Sequence, residues 1–121
     1  MAVAADEIEF RRVLAAPYPM GRGLRDALDI QVNGASLAQT LDASAFDADV
    51  VRSGNVSAAW SRTGTQVPIL NCTCGDVECG GIYVDVVADD RTITWTGSAL
   101  SRPLTFDRAE FESSLADALR D

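Results

Sequence analysis

The fold is decided by residues 82–96, which read IYVDVVADDRTITWT. Apolar residues alternate with other residues on both sides of the turn Asp89-Asp90: Ile82, Val84 and Val86 before it, Ile93 and Trp95 after it. A period of two predicts half-buried strands, and so short a link joins them as an antiparallel hairpin. Residues 66–72 predict a further strand before it. We therefore expect a three-stranded antiparallel meander over about residues 66–97.

Two more strands are predicted nearer the N-terminus, over about residues 8–14 and 27–33. The second has clear period-two alternation, and Asn33-Gly34 after it predicts a tight turn because both residues tolerate positive φ. Ser36 followed by Gln39 is a capping pair, which predicts a short helix over residues 37–41. A second hairpin strand is the alternative.

Residues 43–64 carry the weakest local signals in the chain, because glycine, serine and asparagine are scattered through them. We expect a turn or two of helix over residues 45–51 and a strand over residues 56–60. Trp60 is expected in the core, where a large aromatic side chain buries most of its area.

The last element is predicted to be a helix over about residues 108–120. Asp107 and Glu110 form a capping pair, and Phe106 and Phe111 flank them as a hydrophobic staple. The apolar residues that follow fall at helical spacing and predict a stripe that packs on the sheet: Phe111, Leu115, Ala118 and Leu119. Strands and flanking helices without a βαβ rhythm predict an α+β fold. At 121 residues we expect a single domain over residues 1–121.

Composition excludes several kinds of chemistry. The chain has no histidine, and all ten of its cations are arginine. It therefore lacks the usual general base, and it also lacks the lysine of Schiff-base enzymes and of the phosphate-binding P-loop. We find no catalytic constellation, so enzyme activity stays open and a protein that is not an enzyme is favoured. A weaker alternative is an enzyme that uses paired carboxylates such as Asp85.

The net charge of −8 predicts which partners the protein attracts. An acidic surface repels nucleic acid and anionic membrane, and it attracts a basic protein. A homodimer is the other partner that we consider. The N-terminus has acids where a signal peptide needs basic residues, and no apolar stretch is long enough to span a bilayer. We expect a cytoplasmic protein.

All three cysteines lie within one predicted turn: Cys72, Cys74 and Cys79. Glycine follows Cys74 and Cys79 directly, as it often does in zinc-binding turns. A structural zinc ion needs four ligands, however, and the chain offers three thiolates and no imidazole. The fourth would have to be Asp76, Glu78, a distant carboxylate, water or a second copy of the chain.

Two other interpretations of this turn stay open. Thiol redox chemistry needs positive surroundings that lower the thiol pKa, whereas the near neighbours Asp76 and Glu78 are acidic. The cysteines also suit a purely structural role as small buried residues, with a disulfide between Cys72 and Cys79 where the strands bring them together.

Several of these segments together resemble a group of short bacterial proteins of unknown function. The similar segments are residues 28–34 (LDIQVNG), 70–80 (LNCTCGDVECG), 94–95 (TW) and 106–111 (FDRAEF). In that group a CxCG-x3-C turn follows a strand, and an FDRxxY-like segment opens the last helix. The resemblance covers about half of the chain and implies no activity. The chain departs from the group at Gly80-Gly81, where a Trp-Pro pair is common, and in a shorter link between Trp95 and Phe106.

These observations lead to two expectations of function. The first is a non-catalytic protein-binding module, immunity-like or regulatory, because a small acidic domain steers association with basic partners. The alternative is a zinc-binding protein that uses the Cys72, Cys74 and Cys79 turn, with no other cofactor.

The zinc alternative predicts the metal content of protein purified without a chelator. Elemental analysis should then find about one zinc ion per chain, because a structural site holds its metal tightly enough to survive purification. Substoichiometric zinc would contradict a zinc site at the cysteine turn.

Overall fold

The computed structural model describes residues 5–15, 25–53, 56–71 and 81–120 of the chain. Within these residues the fold is α+β, as predicted. In chain order the elements are β1 Ile8–Ala15, β2 Arg25–Val32, β3 Ala35–Ser36, α1 Leu37–Thr40, α2 Ala48–Arg52, α3 Ser57–Trp60, β4 Gly64–Asn71, β5 Gly81–Ala88, β6 Thr92–Thr96, β7 Leu104–Asp107 and α4 Arg108–Leu119.

The described strands form two antiparallel sheets. The N-terminal sheet has the order β1-β2-β3, and the C-terminal sheet has the order β4-β5-β6-β7. The predicted meander is confirmed as β4, β5 and β6, and the predicted N-terminal strands are confirmed as β1 and β2. Strand β7 was not predicted from the sequence. Its four residues pair with β6 from Thr92↔Asp107 to Trp95↔Leu104.

The turn after β2 has the backbone that Asn33-Gly34 predicted. Asn33 has φ 53° and Gly34 has φ 85°, and the chain returns as the two-residue strand β3. Ser36 then caps α1, because its Oγ accepts a hydrogen bond from the backbone N–H of Gln39 at 3.3 Å. The predicted helix over residues 37–41 is therefore confirmed, and the alternative strand is reduced to Ala35–Ser36.

The predicted strand over residues 56–60 is wrong, because Ser57–Trp60 is a helical turn. The two alanines before Trp60 favour helix, and the segment lacks the alternation of a strand. One turn also brings the indole of Trp60 into the core, where its Nε1 donates to the carbonyl oxygen of Pro68 at 2.8 Å. Trp60 is fully buried, as expected.

Five aromatic side chains form the centre of the core, and we call them the aromatic core: Phe10, Trp60, Trp95, Phe106 and Phe111. The rings of Phe10 and Trp60 stack at 5.8 Å, and those of Trp60 and Trp95 meet edge to face at 6.4 Å. The indole Nε1 of Trp95 also donates to the carbonyl oxygen of Trp60 at 2.9 Å. Both sheets, α3 and α4 contribute to this cluster, so it joins them.

Helix α4 begins as the sequence predicted. Asp107 accepts a hydrogen bond from the N–H of Glu110 at 3.0 Å, and the rings of Phe106 and Phe111 lie 5.9 Å apart. Along the predicted stripe Phe111 and Ala118 are buried, and the two leucines pack partly buried against the core. Ser114 accepts a hydrogen bond from the N–H of Phe10 at 2.9 Å, which fixes α4 along the free edge of β1.

Truncation of Phe111 should be severely destabilising. Its ring meets those of Phe10 and Trp95 edge to face, at 5.0 and 5.7 Å, so Phe111→Ala removes contacts to both sheets. We expect the free energy of unfolding to fall by about 3–5 kcal/mol in urea denaturation. Ser113→Ala, on the exposed side of the same helix, should change it by less than about 0.5 kcal/mol. Equal effects of the two changes would contradict this packing.

Candidate binding surface

The residues predicted to bind zinc lie outside the described part of the chain. Cys72, Cys74 and Cys79 fall within residues 72–80, between Asn71 and Gly81, which pair across β4 and β5. Among the residues that are described, histidine, cysteine, aspartate and glutamate form no group that could hold a metal ion. Zinc binding at Cys72, Cys74 and Cys79 therefore stays a prediction.

The described surface offers a different candidate, on the outer face of the N-terminal sheet. Alternation along β1 and β2 turns Phe10 and its neighbours into the core, and it turns Glu9, Arg11, Asp29 and Gln31 outward. Register pairs Glu9 with Gln31 and Arg11 with Asp29, so these side chains share one surface.

This outer face is concave because flanking segments rise on both of its sides. Helix α4 borders a cavity of about 840 Å³, and residues 35–45 border a second cavity of about 780 Å³. Gln31 and Gly34 line both cavities, so the two adjoin each other. We call the combined concave surface the outer trough.

The charge of the outer trough is strongly negative. Among the described residues that line it, Arg11 is the one cation, and its guanidinium pairs with Glu9 on the same strand. Asp117 has a partner as well, since Arg120 lies 3.0 Å from its carboxylate at an exposed position. The acids that line the trough are Glu7, Glu9, Asp29, Glu110 and Asp117.

Asp29 is the buried acid of the trough. It is 8 % exposed, and its carboxylate accepts hydrogen bonds from the hydroxyl of Ser36 at 2.7 Å and from the side-chain amide of Gln31 at 2.8 Å. No arginine in the described part of the chain forms an ion pair with it. The alternation of β2 placed Asp29 on the polar face but gave no sign of its burial, which depends on side chains that the fold brings beside it, such as Ser36 and Gln31.

The pair of Ser36 and Asp29 links α1 to β2. The Ser36 oxygen accepts a hydrogen bond from the N–H of Gln39 as the cap of α1, and its hydroxyl donates to the carboxylate of Asp29 at 2.7 Å. These two hydrogen bonds fix the start of α1 against β2.

Asp6 fixes one end of the trough. Its carboxylate accepts hydrogen bonds from the guanidinium of Arg102 at 2.6 Å, the side-chain amide of Asn33 at 3.0 Å and the N–H of Thr105 at 3.0 Å. The hydrogen bond from Arg102 is the main cause that lowers the pKa of Asp6 from 3.8 to about 2. Because Asn33 also accepts from the N–H of Glu7 at 2.8 Å, the network holds Glu7 beside the turn at Asn33-Gly34.

The outer face of the C-terminal sheet differs in both shape and charge. Its side chains are mainly threonines, with Tyr83 and Val87 exposed at 46 % and 61 %. Its cavity, beside Tyr83 and Asp85, measures about 260 Å³. Far fewer charged groups converge there than in the outer trough.

None of the described helices is both long enough and apolar enough to cross a membrane. Comparisons with protein-family models, with curated proteins and with solved structures give no match for this chain. The resemblance to short bacterial proteins of unknown function therefore stays a prediction.

Replacement of Asp6 should change the acid stability of the protein. A carboxyl group whose pKa falls on folding stabilises the folded state above its unfolded pKa, and this contribution is lost as the pH falls through the folded pKa. For Asp6 that window runs from 3.8 down to about 2. Asp6→Asn should lower the free energy of unfolding at pH 7 by about 1–2 kcal/mol and flatten its decline across the window.

Chemical denaturation at several pH values measures both effects. Asp90→Asn, an exposed position in the turn between β5 and β6, is the matched control and should leave the pH profile unchanged. If Asp6→Asn and the parent protein lose stability in parallel below pH 3.8, the stabilising role of Asp6 is contradicted.

Proposed function

We propose that this protein is a non-catalytic binding module, immunity-like or regulatory, that recognises a basic segment of a partner protein in the outer trough. One observation carries the proposal. Among the described residues, five carboxylates and one arginine line two adjoining concavities, and two of these acids are paired, Glu9 with Arg11 and Asp117 with Arg120. Opposite charge on the partner is the natural complement of such a surface.

The electrostatics of the whole chain support the same partner. A net charge of −8 draws a basic protein toward the molecule over long distances, and the trough then supplies local charge and shape. The α4 side of the trough is lined mainly by polar groups, and the Asp29 side has polar and apolar surface in nearly equal amounts, whereas an obligate interface is largely apolar. This composition favours a partner that binds and dissociates.

The charge also distinguishes between the two partners expected from the sequence. In a homodimer built on the trough, the carboxylates of two copies would face each other, and like charges opposed at an interface cost several kcal/mol. A basic partner gains energy from the same carboxylates. The trough therefore favours a partner of a different kind over a second copy of the chain.

Neutralising the α4 side of the trough should weaken binding of basic peptides. The double variant Glu110→Gln/Asp117→Asn keeps side-chain shape and removes two charges. Fluorescence anisotropy against an array of labelled peptides with graded arginine and lysine content should show a Kd about tenfold higher, and binding of the parent protein should weaken with added salt.

The matched control is Glu112→Gln/Asp90→Asn, which removes the same charge at exposed positions outside the trough. We expect its Kd to stay within about threefold of the parent value, because neither carboxylate lines the trough and both are exposed to screening by water and salt. Equal weakening by the two double variants would show nonspecific attraction. That result, or no binding of any basic peptide, would overturn the proposal.

A further inference from the structure

We infer that the cavity over Asp29 is a subsite for an arginine side chain. This inference rests on the proposed function, since the arginine would belong to the basic segment in the outer trough. It adds a specific recognition contact to what is otherwise a general attraction between opposite charges.

The carboxylate of Asp29 is buried, and its neighbours leave it able to bind a further donor. Both of its hydrogen-bond partners, the hydroxyl of Ser36 and the amide of Gln31, donate to it at 2.7 and 2.8 Å. Each carboxylate oxygen can accept another hydrogen bond beside the one it already accepts. A cation that enters the cavity meets this acid away from bulk water, so it gains more there than at an exposed acid.

Within the described part of the chain, no arginine forms an ion pair with Asp29. Arg11 is the register partner of Asp29 and lies on the same face, but its guanidinium pairs with Glu9 on its own strand. The cavity of about 780 Å³ that Asp29 lines is open to a side chain from outside.

The walls of the cavity suit a long basic side chain. Val13 and Ala38 provide apolar surface, and Thr40 and Ser44 add hydroxyl groups near the polar end. Arginine buries its methylene stem against apolar surface while its head group stays hydrogen bonded. A guanidinium is more weakly hydrated than an ammonium and presents five donors in a planar fork, so arginine suits a buried carboxylate better than lysine.

The experiment is an NMR titration of the full-length, ¹⁵N-labelled protein with Nα-acetyl-arginine methylamide. We expect saturable shifts at the backbone amides of Gln31, Ser36 and Ala38. The citrulline analogue, which has nearly the same shape without charge, should bind at least about tenfold more weakly. The lysine analogue should bind more weakly than the arginine analogue, and equal shifts with citrulline would overturn the inference.

Two variants separate recognition from a purely structural role of Asp29. Asp29→Asn should weaken arginine binding at least about tenfold, because it removes the charge and keeps the shape of the side chain. Unchanged binding in this variant contradicts the subsite. Glu112→Gln/Asp90→Asn, at exposed positions that line neither cavity, should leave the Kd of this small probe within about twofold. A parent protein that binds basic peptides but not the arginine probe would show that the subsite fails while the proposed function stands.

Discussion

The contact between Trp60 and Trp95 is the constraint on which the described fold depends. Their rings lie 6.4 Å apart, and the indole Nε1 of Trp95 donates to the carbonyl oxygen of Trp60. Through Phe10, stacked on Trp60, the same cluster reaches the N-terminal sheet, and through Phe111 it reaches α4. Aromatic pairs of this kind add to the stabilisation that their buried area provides. Two sheets that share no strand are held together mainly by these rings.

This packing also determines where the outer trough lies. With Phe10 facing the aromatic core, the period of β1 turns Glu9 and Arg11 outward, and with Phe111 buried, α4 presents Glu110 and Asp117 beside them. A hydrogen bond from the N–H of Phe10 to Ser114 then fixes the helix along the strand. Part of the acidic surface is therefore a consequence of the core, because burial of Phe10 and Phe111 leaves their neighbours Glu9 and Glu110 in the trough.

The sequence predicted the elements whose signals are local. Alternation predicted β1, β2 and the β5–β6 hairpin, and the capping residues Ser36 and Asp107 predicted where two helices begin. The strand predicted over residues 56–60 was wrong because the alanines before Trp60 favour helix. The strand β7 and the burial of Asp29 were not predicted because they depend on contacts with other segments, and no local pattern carries that information. The candidate site follows the same rule. The sequence predicted an acidic protein, but it did not predict which acids line the trough together.

The central claim is that recognition takes place in the outer trough and not elsewhere on an acidic surface. The most direct measurement is zero-length carbodiimide cross-linking of the protein to a lysine-containing basic peptide that it binds, with the linked residues identified by mass spectrometry. The account predicts linkage to acids of the trough, namely Glu7, Glu9, Glu110 and Asp117. Linkage confined to acids outside it, such as Asp85, Asp89, Asp90 and Glu112, would contradict the account.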